Sequence, residues 1–276
     1  MNPFPRTDLA VEAQARTEAG ALEGVETRER TVQGFQVSTV TILNEEASKE
    51  LCKPPGRYDT ITLDPVLRRE DAAFAEAAEL LSGLLRELRP LSPEASVLVI
   101  GLGNRAITPD AIGPRAMESV LATRHLHQQF PGSFPELRPV SSIAAGVLGD
   151  TGVESAVLVQ GLVRDLQPDL VIVVDALACA EAERLCRTIQ LTDTGITPGS
   201  GVGNDRAALS AETLGVPVVA IGVPTVMDFP GAEPGLFVTP RNIDTVVSDF
   251  SKLIGYSVDL ALHPALSVSD FDLLLS

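Results

Sequence analysis

The sequence predicts an α/β fold, a three-layer sandwich in which a mostly parallel sheet is covered by helices on two sides. Residues 97–100 (VLVI), 170–174 (LVIVV) and 216–221 (VPVVAI) are short aliphatic runs with almost no polar alternation, so they read as strands buried on both faces. The stretches between them carry apolar residues at helical spacing. The two kinds of segment alternate along the chain, the order that strand–helix–strand crossovers need.

Taken in order, residues 1–23 are polar and read as a loose helix or an arm that packs elsewhere. Residues 24–43 alternate polar and apolar side chains around Gln33-Gly34, the pattern of two strands joined by a turn. Residues 53–58 (KPPGRY) form a loop by their Pro-Pro-Gly content. A helix follows over 69–88 and is ended by Pro90 and Pro93. Further helices fit near 113–129, 153–166, 206–214 and 243–254. One α/β domain with a β-rich extension over about residues 24–60 accounts for the pattern.

Composition narrows the function. The 276 residues are enough for a substantial core, and 45% hydrophobic against 21% charged is globular rather than disordered. With 37 acidic and 21 basic side chains the net charge is −16, which opposes phosphate-backbone binding, so no direct nucleic-acid contact is expected. Aromatics at 4%, with no Trp, fit poorly with base or sugar stacking. Cys52, Cys179 and Cys186 form no CxxC, and His125, His127 and His263 no HExxH, so neither a disulfide framework nor a His-rich metal centre is expected. The first twelve residues lack the apolar core of a signal peptide, and the longest aliphatic runs fall far short of a membrane span. The reading is an acidic, soluble protein of a reducing compartment.

Chemistry concentrates in three places. Residues 99–114 (VIGLGNRAITPDAIGP) place Gly101, Gly103 and Ala106 after a buried strand as GxGxxA. A dinucleotide turn would look like this, but Pro109 and Pro114 interrupt the helix it needs, and no acidic residue ends a second strand about twenty positions on. What remains is a strand-to-loop turn presenting Gly103, Asn104, Thr108 and Asp110, with Thr108-Pro109-Asp110 as either functional loop or plain helix start. Asp175 ends the run LVIVVD, where open α/β sheets bind ligands, and it too has helix capping as its alternative. Both aspartates should emerge on one sheet edge, and two carboxylates in one cleft can divide labour, one protonated and one ionised. Residues 191–204 (LTDTGITPGSGVGN) make a long Gly/Pro loop in which Asp193, Thr194 and Ser200 are candidates for holding substrate backbone. Backbone N–H groups near Gly103 or residues 199–203 are candidates for an oxyanion site. Ser200 lies in no GxSxG, and His125 and His127, two apart on a helix, face different directions.

The strings RTDLAVE (6–12), VIGLGNRAITPDAIGPRA (99–116), PDLVIVVDALA (168–178), TIQLTDTGITPGSGVGN (188–204), GVPVVAIGVPTVMD (215–228) and ALHP (261–264) occur in order, and together they closely resemble the germination protease family. The resemblance implies the fold of hydrogenase maturation proteases and an atypical aspartic-type endopeptidase that degrades small acid-soluble spore proteins in the spore core. It places the catalytic aspartates in the TPDA-x-GP and DALA motifs, at Asp110 and Asp175. It also implies a homotetramer, no cofactor, and a zymogen that trims its own N-terminus. The stretch 7–12 (TDLAVE) resembles the processing site, which puts the cut between Asp8 and Leu9, with residues 1–8 as pro-segment and 9–276 as peptidase domain. A pro-segment of eight residues is short, and the stretch between Asp228 and Asn242 is compact, so a long surface insertion is not expected there. The rival reading is a metal-dependent endopeptidase of the same fold, with Asp110 and Asp175 as ligands.

Overall fold

The computed structural model describes residues 6–17, 22–200, 203, 206–229 and 236–274. Its strands are β1 (Val25–Val32), β2 (Phe35–Ile42), β3 (Gly56–Thr62), β4 (Val97–Leu102), β5 (Val140–Gly146), β6 (Leu170–Cys179), β7 (Thr188–Thr192), β8 (Val218–Asp228) and β9 (Phe237–Val238). They form one sheet in the order β1-β2-β3-β7-β8-β6-β4-β5, with β9 paired to the end of β8. β5, β4, β6 and β8 run parallel. β1, β2, β3 and β7 are joined antiparallel, so the sheet is mixed and its parallel part is one half of it. The expected hairpin turns at Gln33 and Gly34, both at positive φ, the geometry that matches strand twist in a two-residue turn.

Alternation sorts the strand residues onto two faces. Val97, Val99, Leu170, Ile172, Val174, Val219 and Ile221 pack with the helices Ala73–Leu88 and Ile243–Leu262. Leu98, Ile100, Leu102, Val171, Val173 and Val218 pack on the other face with Ala156, Val159 and Val163 of the helix Ser155–Leu166. The parallel half is therefore a three-layer α/β/α sandwich. Within it β5 lies on one side of β4, and β6 then β8 lie on the other, so the chain reverses direction across the sheet between β4 and β6. Ligands bind outside the carboxyl ends of strands at such a switch point.

Several elements differ from the sequence reading. The single helix expected over 113–129 is Ile112–Ala116, a 3-10 turn Met117–Ser119 and then Arg124–Gln129. The break has distant causes, since Leu121 N–H donates to the Asp259 carboxylate and Thr123 N–H to the Val140 carbonyl. The helix expected over 206–214 is only Ala211–Leu214, because Leu209 is held in a backbone bridge to Ile196. The helix expected over 243–254 runs on to Leu262. The strand read over 216–221 starts after Pro217 and runs on past Ile221 to Asp228. β6 likewise continues past Asp175 to Cys179, paired with β8 throughout, so the aspartate is in a strand and caps no helix. Part of the N-terminal arm is the helix Ala10–Ala15, built into the body rather than lying loosely on it.

Candidate active site

The glycines after β4 serve backbone packing. A Cβ on Gly103 would run into the Asp110 carbonyl oxygen, one on Gly101 into the Gly113 carbonyl, and one on Gly113 into Leu102 and the Val174 oxygen. Gly103 also sits at φ +113°, which side chains rarely adopt. The three glycines bring the loop carrying Asp110 down onto the ends of β4 and β6, and the GxGxxA string is spent on that contact. Thr108–Asp110 forms a 3-10 turn without a side-chain cap, so Thr108 is not the helix cap its sequence allows.

Asp110 is half-buried, and its Oδ2 accepts the Asn104 N–H at 2.7 Å. Asp175 is 5% exposed, and its Oδ1 accepts the Ala176 N–H at 2.9 Å. The two carboxylates line one cleft, together with Asp8, Pro109 and Ser200. Burial, reinforced by the Asp110 charge, holds the Asp175 carboxyl well above the usual carboxylate range. Burial also raises Asp110, but the Asn104 N–H and the nearby Arg206 work against that rise. Like charges in one cleft resist joint ionisation, and burial lifts Asp175 more strongly than Asp110. Among the described residues, no group of three or more His, Cys, Asp or Glu side chains gathers to hold a metal ion.

The cleft is occupied by the chain's own N-terminal segment. Beyond Val174 β6 is no longer paired with β4, and Asp8 uses the freed backbone, donating its N–H to the Ala178 oxygen at 2.9 Å. The Asp8 carboxylate accepts from Ala178 N–H at 2.8 Å and from the Ser200 hydroxyl at 2.9 Å. Gln190 of β7 donates from Nε2 to the Asp8 carbonyl at 3.2 Å and accepts the Ala10 N–H on Oε1 at 2.8 Å. Lys53 Nζ donates to the Thr7 carbonyl at 3.3 Å. Leu9 is wholly buried in a cluster with Val40, Ile42, Tyr58 and Leu177, worth about 2 kcal/mol for a side chain of that size. Glu12, also wholly buried, accepts from the N–H groups of Ala180 and Glu181 at 2.7 and 3.1 Å.

Of the sequence-stated candidates, Asp110, Asp175, Asn104, Asp8, Leu9 and Ser200 come together here, with Gly103 beneath them. Asp193 and Thr194 lie elsewhere, at the β3–β7 end of the neighbouring groove. Asp193 accepts the Arg57 N–H at 2.9 Å, and Thr194 N–H donates to the Thr192 hydroxyl at 3.2 Å. Of the proposed oxyanion stretch 199–203, Gly201 and Val202 lie outside the described residues, as do residues 1–5 of the expected pro-segment and 230–235 of the stretch after Asp228. Gln190, Lys53 and Arg206 were missed. Only Gln190 left a signal, a lone amide in the otherwise β-forming run TIQLT.

Fold and cleft define an α/β protein that holds extended peptide backbone against a pair of unlike carboxylates. Comparison with known proteins identifies the group. The germination protease family profile matches residues 6–232. The germination protease of Caldanaerobacter subterraneus subsp. tengcongensis is 38% identical over 98% of both chains. That of Clostridium perfringens is 36% identical over 98% of this chain and 99% of its own. That of Bacillus cereus is 45% identical over 90% of this chain and 68% of its own. This chain belongs to the germination protease family and is a protease. Among solved structures, a NiFe hydrogenase maturation protease from Thermococcus kodakarensis superposes with a TM-score of 0.39 at 20% identity, covering 64% of this chain and 99% of its own.

Proposed function

We propose that the chain is an aspartic-type endopeptidase, made as a zymogen that cuts itself between Asp8 and Leu9. The observation that carries the reading is the segment itself, seated in the cleft with Asp8 beside Asp110 and Asp175. In this reading ionised Asp110 takes a proton from water as the water oxygen bonds to the Asp8 carbonyl carbon. Protonated Asp175 donates to the carbonyl oxygen as that oxygen gains charge. The tetrahedral adduct then collapses, the bond to Leu9 nitrogen breaks, the proton held by Asp110 goes to the departing amine, and the proton on the former carbonyl oxygen returns to Asp175. Family membership supports small acid-soluble spore proteins as substrates, action in the spore core, and assembly as a homotetramer. An acidic residue followed by an aliphatic one is the substrate feature that the Asp8 and Leu9 contacts would select.

Intact-mass measurement over time tests this. The expected result is loss of residues 1–8 from the native sequence and an unchanged mass for Asp175→Asn and Asp110→Asn. Processing at a native rate in either variant would remove the aspartate pair from the mechanism.

A further inference from the structure

We infer that Gln190 is the oxyanion donor of this protease, its side-chain amide holding the scissile carbonyl while the aspartate pair does the proton transfers. The inference rests on the reading above, with the bond between Asp8 and Leu9 as the one cut. On that reading the Asp8 carbonyl, to which Gln190 Nε2 donates at 3.2 Å, is the oxygen that becomes negative in the tetrahedral adduct.

Three features favour this role. The first is the orientation of the amide. Its Oε1 accepts the Ala10 N–H at 2.8 Å, so one partner is a donor and the other an acceptor, and Nε2 necessarily faces the Asp8 oxygen. The two bonds bracket Leu9 and leave the peptide bond before it spanned by a single rigid group. The second is register. Asp175 of β6 is paired with Gly222 of β8, and Gly222 with Gln190 of β7, so the three lie in one row across the sheet and share a face. The middle position has no side chain, and a Cβ there would collide with Leu177. An acid and an amide thus flank a floor filled by the Leu177 side chain, which shares its apolar cluster with Leu9 of the segment. The third is burial. Gln190 is 5% exposed, between Ile189 and Leu191, which are buried on the opposite face. An amide in such a place is costly unless its atoms are bonded, and here peptide backbone supplies both partners.

A bond of 3.2 Å is long for a neutral amide donor and can shorten as the oxygen takes on charge. During the step, water adds to the Asp8 carbonyl carbon and the π electrons move to the oxygen, which Gln190 and the Asp175 proton hold from two sides. Collapse returns the electrons and expels Leu9 nitrogen. Gln190 neither gains nor loses a proton.

The test uses the full-length chain carrying Gln190→Met or the near-isosteric Gln190→Glu, with native protein and Asp175→Asn alongside. Self-cleavage is followed by intact mass from pH 5 to 8, and amide hydrogen exchange of residues 9–12 reports whether the segment stays docked. The expected result is a rate about 10²–10³-fold slower, the usual loss for one oxyanion donor. The factor should be the same at every pH for Gln190→Met, with residues 9, 11 and 12 still protected while Ala10, its acceptor removed, exchanges faster. A rate within threefold of native, or a rate loss that only tracks loss of protection, overturns the assignment and makes Gln190 a backbone clamp. The parent reading fails separately. Native-like cleavage in Asp175→Asn removes the aspartate pair, whereas a native cut mapped to another bond removes the Gln190 role.

Discussion

The two halves of the sheet do different work on the same segment. The parallel half, β5-β4-β6-β8, is aliphatic on both faces and brings Asp110 and Asp175 to the switch point between β4 and β6. The antiparallel half supplies Gln190 from β7 and the apolar bed of Val40, Ile42 and Tyr58 under Leu9. On the proposed mechanism proton chemistry belongs to the parallel half, while grip is shared between Ala178 and Leu177 of β6 and the side chains of the antiparallel half. Asp259 is the contrasting case. Burial raises its carboxyl well above the usual range as it does that of Asp175, but Asp259 sits where the helix Ile243–Leu262 meets the Leu121 N–H, and burial rather than a neighbouring carboxylate is what raises it. A displaced proton affinity acquires meaning only beside a partner and a bound peptide.

This division is open to direct attack. Asp110→Asn or Asp175→Asn should cost at least about 10³-fold in self-cleavage, roughly 4 kcal/mol of barrier, while exchange protection of residues 9–12 stays intact. If either variant also released the segment, chemistry and grip would not be separate. Gly103→Ala should lower stability by about 2–4 kcal/mol in urea titration, because its Cβ meets the Asp110 carbonyl at a positive-φ position. Leu9→Ala should weaken docking by about 2–3 kcal/mol, read as faster exchange at residues 9–12, with the pH profile of cleavage unmoved.

A smaller effect concerns stability against pH. A carboxyl raised in the folded state binds protons more tightly there than in the unfolded chain, so stability is highest below the ordinary value of 3.8 and falls as pH rises through the raised value. Asp175→Asn removes its share of that fall, and its melting temperature should overtake that of the native chain as pH rises from 4 to 7. Asp259→Asn should reduce the slope in the same sense, by the same linkage, without touching activity. Last, exhaustive chelation should leave the cleavage rate unchanged, and a chelator-sensitive rate would favour the metal-dependent alternative.

What could be read in advance follows from how local each cause is. β4 and the first half of β6 were legible because buried aliphatic runs need no partner to be recognised, and both aspartates followed from where those runs stop. That β6 continues four residues past Asp175 was not legible, since its continuation depends on β8. The break near Leu121 comes from a carboxylate 138 residues away. Gln190, Lys53 and Arg206 were missed for the same reason, because each matters through what the fold lays across it. The motif resemblance located Asp8 and Leu9, but only the fold shows Asp8 lining the cleft with both carboxylates and Leu9 buried in the apolar cluster beside it.

The segment in the cleft is tethered to the body that would cut it. A short tether holds a ligand at an effective concentration in the millimolar range, so any free peptide competing for Ala178 and Gln190 meets an occupant present at that level from the moment of folding. The chain is its own first competitor. Affinity for outside substrate measured on the intact chain would therefore be understated in proportion, and severing one peptide bond would change it more than most substitutions in the cleft.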